Sequence, residues 1–228
     1  PFFILAGNLM ESGGISARLV EFAKSIVGGV QGGLAATCVL TCMIFAAVSG
    51  SSVATTFAIG AILIPAMVKH GYPVSFAAAL QATSAELGVI IPPSIPMILY
   101  GISADVSVAE LFIAGVGPGL LIGGVLIVTV LVWARIKGYG KLDREGRVPL
   151  LESTRRAALA LLMPVIILGG IYGGVFTPTE ASVVAVFYAV IVGMLIYREI
   201  SVADLARVLR RSVISSTVIL MIIACAGM

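Results

Sequence analysis

Two short stretches interrupt otherwise apolar sequence, and both could expose peptide groups to a ligand. The first is SGSS at residues 49–52, and the second is GVIIPPSIP at residues 88–96. Proline has no amide hydrogen and forces the residue before it away from helical conformation. Each stretch is therefore expected to break a helix, leaving carbonyls unpaired at the end of one half and amides unpaired at the start of the next.

Unpaired carbonyls at a helix end favour a small cation, and unpaired amides at a helix start favour an anion such as a carboxylate. The carbonyls are expected near Ser49 and at residues 88–91, and the amides near Ser52 and Ser94. Two facing breaks would form a paired cation and anion site, as in ion-coupled transporters with discontinuous helices. Ser51 and Ser94 are candidate substrate contacts.

Each of these features also has a purely structural interpretation. The SGSS stretch could be a tight turn or a place of close helix packing, and the proline-rich stretch could be a simple kink. Glu86 lies in the same apolar segment as the prolines, and carboxylates at membrane depth are functional candidates because burying their charge is costly. Glu86 is therefore a candidate substrate contact, although it could equally pair with a hydroxyl group.

The composition indicates the environment that surrounds these two helix breaks. The chain is 60% hydrophobic and 11% charged, against roughly 25% charged residues in soluble domains. Apolar stretches near the ~20 residues that cross a bilayer recur along it. We therefore expect an all-α integral membrane protein, a polytopic bundle with a re-entrant hairpin, a discontinuous helix and interfacial arm helices.

The positive charges predict a topology. Eleven of the fourteen Lys and Arg residues fall at 135–156 and 198–211, and the positive-inside rule places both clusters in the cytoplasm. This distribution explains the net charge of +3 without a nucleic acid partner. The predicted spans are 74–101, 111–134, 156–175 and 181–197. The segments at 103–110 and 176–181 are then external.

Residues 32–68 have cytoplasmic charges at both ends, and each leg has only 16 or 17 residues. They are expected to enter and leave by the same face, as a re-entrant hairpin with SGSS at its tip. Residues 15–27 place Ile15, Leu19, Phe22 and Ile26 on one helical face and predict an interfacial helix. Residues 202–212 predict a second one.

At PFFILAGNLMESGGIS, SGSSVATT, GVIIPPSIPMILYG and GGIYGGVFTPTEA the chain resembles the large membrane subunit of the tripartite ATP-independent periplasmic (TRAP) transporters. The resemblance covers residues 1–228, read as one incomplete transport domain that lacks N-terminal helices and a C-terminal half with a second hairpin. It implies a sodium site made largely of main-chain oxygens, and the matching positions are Ser49, Ser52, Gly88, Ile91 and Pro93. Many family members carry an acidic residue just after the hairpin tip, where this chain has Thr55.

The resemblance also implies a function and partners. It implies sodium-coupled import of an organic acid across the bacterial inner membrane. A periplasmic binding protein would deliver the acid, and a small membrane subunit would brace the permease. No cofactor is expected beyond the coupling sodium ion. Two alternatives stay open: another ion-coupled anion transporter that works without a binding protein, and a non-transporting scaffold subunit.

An enzymatic role is disfavoured, and no catalytic residue is assigned. A serine nucleophile in the SGSS stretch would need a base within hydrogen-bonding reach. His70 is the single histidine of the chain, and it is predicted at the cytoplasmic boundary, away from the tip.

Overall fold

The computed structural model describes residues 1–140 and 149–226. In these ranges the chain folds into helices joined by short turns, which confirms the helical membrane bundle. The helices that precede the second break are α1 (Phe2–Ser12), α2 (Ile15–Val27), α3 (Gly33–Ser49), α4 (Ser52–Lys69), α5 (Val74–Ala85) and α6 (Leu87–Ile90). The helices that follow it are α7 (Ile95–Ser103), α8 (Val108–Lys137), α9 (Leu150–Tyr172), α10 (Pro178–Val190) and α11 (Val202–Ala226).

The predicted spans correspond to long apolar helices. Four helices of the described chain are long and apolar enough to cross a membrane: α4, α8, α9, and α10 together with the π-helical segment Ile191–Ile196 that continues it. The pair formed by α5–α6 and α7 makes a fifth if it is one span, bent by 43° at its break. Part of the basic cluster predicted at residues 135–156 lies outside the described residues.

The hairpin predicted at residues 32–68 is present as α3 and α4, which pack against each other across a two-residue turn. The helices have 17 and 18 residues, equivalent to roughly 25–27 Å at 1.5 Å per residue. Helix α4 is nevertheless one of the four described helices long and apolar enough to cross a membrane, so length alone does not separate a full crossing from a re-entrant leg. The re-entrant path through the bilayer stays a prediction.

Helix α2 forms as predicted, but its buried face is rotated from the expected one. Ile15 and Leu19 are fully buried, whereas Ile26 is 46% exposed and Val20 and Ala23 are buried in its place. The reason is that α2 packs against both α3 and α9. Its buried surface therefore depends on two neighbouring helices and does not coincide with the apolar face read from the sequence.

The prediction of a separate interfacial helix at residues 202–212 is wrong. Helix α11 continues without a break from Val202 to Ala226. It starts at a capping box, where the Asp204 amide donates to the Ser201 hydroxyl at 3.2 Å and Asp204 Oδ2 accepts from that hydroxyl at 2.7 Å. Nothing in the following sequence stops the helix, because it contains neither proline nor glycine up to Ala226.

The core of the fold surrounds α3. This helix packs on α2, α4, α5, α6, α8 and α9, and side chains such as Cys38, Cys42 and Phe45 are completely buried. The end of α3 is the start of the hairpin tip. The tip is therefore attached to the helix on which the surrounding helices pack.

Candidate ion and substrate site

The hairpin tip is a turn whose hydroxyl groups bond to its own main chain. Gly50 ends α3 in the left-handed conformation with φ of 61°, and extended Ser51 caps α4 by accepting from the Ala54 amide at 3.3 Å. The Thr55 hydroxyl donates to the Ser51 carbonyl at 2.7 Å and lies 3.2 Å from the Ser49 hydroxyl. The tip is thus a cluster of oxygen atoms in an apolar bundle.

The proline-rich break has the half-helix geometry that the sequence predicts. Helix α6 ends at Ile90, Ile91 is extended, and the Pro92–Pro93 peptide bond is cis. Ser94 starts α7: its hydroxyl accepts from the Met97 amide at 3.4 Å and donates to the Val89 carbonyl at 2.6 Å. Ser94 is fully buried, so its side chain closes the gap between the two halves.

The two breaks meet. The Ile95 amide, at the start of α7, donates a hydrogen bond of 3.1 Å to the Gly50 carbonyl at the tip. A methyl group on Gly50 would overlap the carbonyl oxygen of Pro93. On Gly88 it would lie 3.0 Å from the carbonyl carbon and oxygen of Ser51. Glycine is therefore needed at positions 50 and 88, because there the main chain of one break contacts the main chain of the other.

The structure brings most of the sequence-predicted cation residues together. Ser49 and Ser52 flank the turn, Gly88 lies against Ser51 and Ser52, and the Pro93 carbonyl lies beside Gly50. The Ile91 side chain packs on Gly119 of α8, so any contribution of Ile91 to an ion site has to come from its main chain.

A cavity of about 290 Å³ opens beside the tip, between α1, α4, α7 and α11. Polar groups reach it from three directions: Ser49 and Ser51 at the tip, Asn8 on α1, and Arg211 and Ser215 on α11. Gly7 permits the close approach of α1, because a methyl group there would lie 3.2 Å from the Ser49 carbonyl oxygen. The cavity therefore borders the same turn that carries the candidate cation site.

Arg211 supplies positive charge to this cavity. Its Nη1 atom lies 3.1 Å from Oε1 of Glu11, which is near the end of α1, and the Arg211 side chain is 49% exposed. Within the described part of the chain, Glu11 Oε2 is buried without a hydrogen-bond partner. One turn away, Asn8 Nδ2 donates to Ser212 Oγ at 2.8 Å, which fixes α1 against α11.

The three candidate substrate residues separate in the fold. Ser51 lines the cavity. Ser94 is buried behind it, and the next residue, Ile95, forms part of the wall. Glu86 lies in a different groove, which Thr83 shares with Ile122 and Leu126 of α8.

The sequence analysis missed Asn8, Gln81 and Arg211. Asn8 and Gln81 are amide side chains in the apolar stretches ILAGNLM and AAALQATSA, and an uncharged polar residue in such a run is the signal that could have marked them. Arg211 was counted in a cytoplasmic cluster, and no local pattern indicates that it reaches the tip cavity.

These features define the class of protein as a helical membrane protein with broken helices that meet at a polar site. The sequence profile described as "Tripartite ATP-independent periplasmic transporter, DctM component" matches residues 1–228. The chain therefore belongs to the DctM family, which confirms the resemblance seen in its motifs.

Similar proteins are named as permeases. The chain is 46% identical over 224 residues to the C4-dicarboxylate TRAP transporter large permease protein of Pseudomonas aeruginosa, covering 98% of this chain and 52% of that protein. It is 42% identical over 229 residues to the 2,3-diketo-L-gulonate TRAP transporter large permease protein of Escherichia coli, covering 99% and 53%. It is 38% identical over 224 residues to the ectoine TRAP transporter large permease protein of Halomonas elongata, covering 98% and 52%. The chain spans about half the length of these curated relatives.

Proposed function

We propose that this chain forms part of the large permease subunit of a sodium-coupled secondary transporter that imports an organic acid. The observation that carries the proposal is the hydrogen bond from the Ile95 amide to the Gly50 carbonyl. It joins two chain breaks, and the joined breaks border a cavity that contains an arginine.

Sodium is the proposed coupling ion because the tip concentrates uncharged oxygen atoms. The hydroxyls of Ser49 and Thr55 and the carbonyl of Ser51 lie within hydrogen-bonding distance of one another. Carbonyls and half-helix ends of this kind are the groups that hold sodium in transporters with unwound helices. We assign the site to Ser49, Ser52, Gly88, Ile91 and Pro93.

An organic acid is the proposed substrate because the cavity combines positive charge with hydroxyl groups and a helix start. Arg211 can bind a carboxylate through two parallel hydrogen bonds. The first turn of α4, at Val53 and Ala54, also lines the cavity, and a helix N-terminus favours an anion. The named substrates of the three relatives, a C4-dicarboxylate, 2,3-diketo-L-gulonate and ectoine, all carry a carboxyl group.

We further propose a periplasmic binding protein and a small membrane subunit as partners, in a bacterial inner membrane. The family description supports this, since it specifies a tripartite periplasmic transporter. The fold is compatible with a lipid or protein environment: Leu121, Val125 and Val128 of α8 expose between 58% and 69% of their surface.

The proposal is tested by uptake into proteoliposomes containing the natural polypeptide that carries these residues, with its membrane partner and binding protein. We expect uptake of one acid from a panel of dicarboxylates and sugar acids to require a sodium gradient and to stop when choline replaces sodium. Leucine at Ser49 or Ser52 should abolish uptake, because a bulky side chain would displace the tip. Valine at Thr129 is the control, since that exposed hydroxyl bonds to Val125 within its own helix.

Omitting the binding protein separates the two nearest functions. Loss of uptake without it supports the tripartite system. Undiminished uptake would favour an ion-coupled anion transporter that works alone, and sodium-independent uptake would contradict the assigned coupling ion.

A further inference from the structure

Gln81 of α5 is completely buried where α3, α4 and α5 meet. Its packing leaves little room for movement, because a methyl group on Gly60 of α4 would lie only 3.1 Å from Gln81 Cγ. A buried amide has to be hydrogen-bonded, since an unsatisfied polar group in an apolar bundle is costly. The hydrogen-bond partners of Gln81 therefore show which helices it connects.

Both ends of the Gln81 amide have partners on different helices. Nε2 donates to the Thr55 carbonyl on α4 at 3.2 Å. Oε1 accepts from the Cys38 thiol on α3 at 3.1 Å, and the Cys42 thiol lies at 3.9 Å. The amide thus ties the middle of α3 to the first turns of α4.

Thr55 carries this connection to the hairpin tip. Its carbonyl accepts from Gln81, while its hydroxyl donates to the Ser51 carbonyl at 2.7 Å and lies 3.2 Å from the Ser49 hydroxyl. Thr55 is fully buried. A continuous hydrogen-bonded path therefore runs from a side chain on α5 to the Ser49 hydroxyl of the candidate cation site and to the Ser51 carbonyl beside it.

We propose that Gln81 is a positioning residue that sets the sodium affinity of the tip. It holds the first turns of α4 in register with α3, and thereby fixes the separation of the Ser49 and Ser51 oxygens. The inference rests on the proposed sodium site. Gln81 itself has no need to contact the ion.

The experiment is a sodium titration of thermal unfolding on the purified natural polypeptide, with choline chloride holding the ionic strength constant. A ligand that binds only the folded state raises stability with the logarithm of its concentration once that concentration exceeds the dissociation constant, so the sodium concentration that gives a fixed increase in stability reports affinity. Gln81→Met keeps the unbranched shape and removes both hydrogen bonds. Gln81→Leu is a second variant, in case the first fails to fold. Thr83→Val is the matched control, because that exposed hydroxyl bonds to the Ala79 carbonyl within the same helix.

We expect the Gln81 variants to need about tenfold more sodium for the same increase in stability over the sodium-free protein, which corresponds to about 1.4 kcal/mol. Thr83→Val should keep the wild-type sodium dependence. A purely structural Gln81 would lower the unfolding temperature without sodium and leave the sodium dependence unchanged, and that result would overturn the inference. If sodium stabilises none of the proteins, the proposed sodium site fails and this inference fails with it.

Discussion

The amide of Ile95 and the carbonyl of Gly50 lie 3.1 Å apart and join two chain breaks separated by more than forty residues. One group starts a half-helix and the other ends the first leg of the hairpin. The first amide of a helix and the carbonyl just past a helix end have no partner within their own helix, so each satisfies the other's hydrogen-bonding requirement. The contact fixes the tip against the broken span.

Replacing Gly50 with alanine should destabilise the protein and impair transport. A left-handed residue other than glycine costs about 1–2 kcal/mol, and the added methyl group would also overlap the Pro93 carbonyl. Gly174→Ala is the control, because Gly174 has a φ of 68° and open space around it. Thermal unfolding should show a larger loss for Gly50→Ala than for the control. Equal losses of thermal stability in the two variants would contradict the close contact between Gly50 and the broken span.

Substitution of Gly88 should weaken the site in proportion to side-chain size. Alanine would bring a methyl group to 3.0 Å from Ser51, so we expect reduced uptake, and valine should reduce it at least about tenfold because its branched side chain forces the breaks apart. Gly124→Val on α8 is the control, since nothing lies within 4 Å of that position. Normal sodium-dependent uptake by Gly88→Val would refute the close contact.

Neutralising Arg211 should lower substrate affinity and spare the sodium dependence. Arg211→Gln removes the positive charge of this side chain from the cavity, so we expect the KM for the acid to rise about tenfold. The sodium concentration for half-maximal uptake should equal that of the wild-type protein. Arg210→Gln is the matched control: it removes one positive charge at the next residue, which does not line the cavity. If both variants raise KM alike, the effect is one of general surface charge.

The predicted orientation is tested by cysteine labelling from one side of the membrane. The background replaces Cys225, which is exposed, and retains Cys38 and Cys42, which are buried. An impermeant thiol reagent should label Thr177→Cys from the periplasmic side and Arg198→Cys only after the cytoplasmic side is opened. The opposite pattern would invert the topology drawn from the positive charges.

The breaks were predictable because the residues that cause them are adjacent in the sequence. Pro92, Pro93 and Pro96 remove three amide donors within five residues, and Gly50 directly precedes Ser51, which caps the next helix. The dipole argument required the two breaks to face each other, and the Gly50–Ile95 hydrogen bond shows that they meet. The sodium assignment of Ser49, Ser52, Gly88, Ile91 and Pro93 stays a prediction.

The cavity could not be predicted in the same way, because distant segments form it. Asn8 bonds to Ser212, 204 residues away, and Arg211 pairs with Glu11 across 200 residues. A charge rule that reads Arg211 as part of a cytoplasmic cluster carries no information on which helix it will contact. The same limit applies to α2, whose buried face depends on having two neighbouring helices.

Equilibrium binding of radioactive sodium tests the central claim most directly, because that claim is that the two breaks together form one cation site. The measurement compares the purified wild-type polypeptide with Gly88→Val, in excess potassium. We predict saturable sodium binding that potassium does not displace and that Gly88→Val loses. Absence of saturable binding in the wild type, or unchanged binding in the variant, would contradict the account.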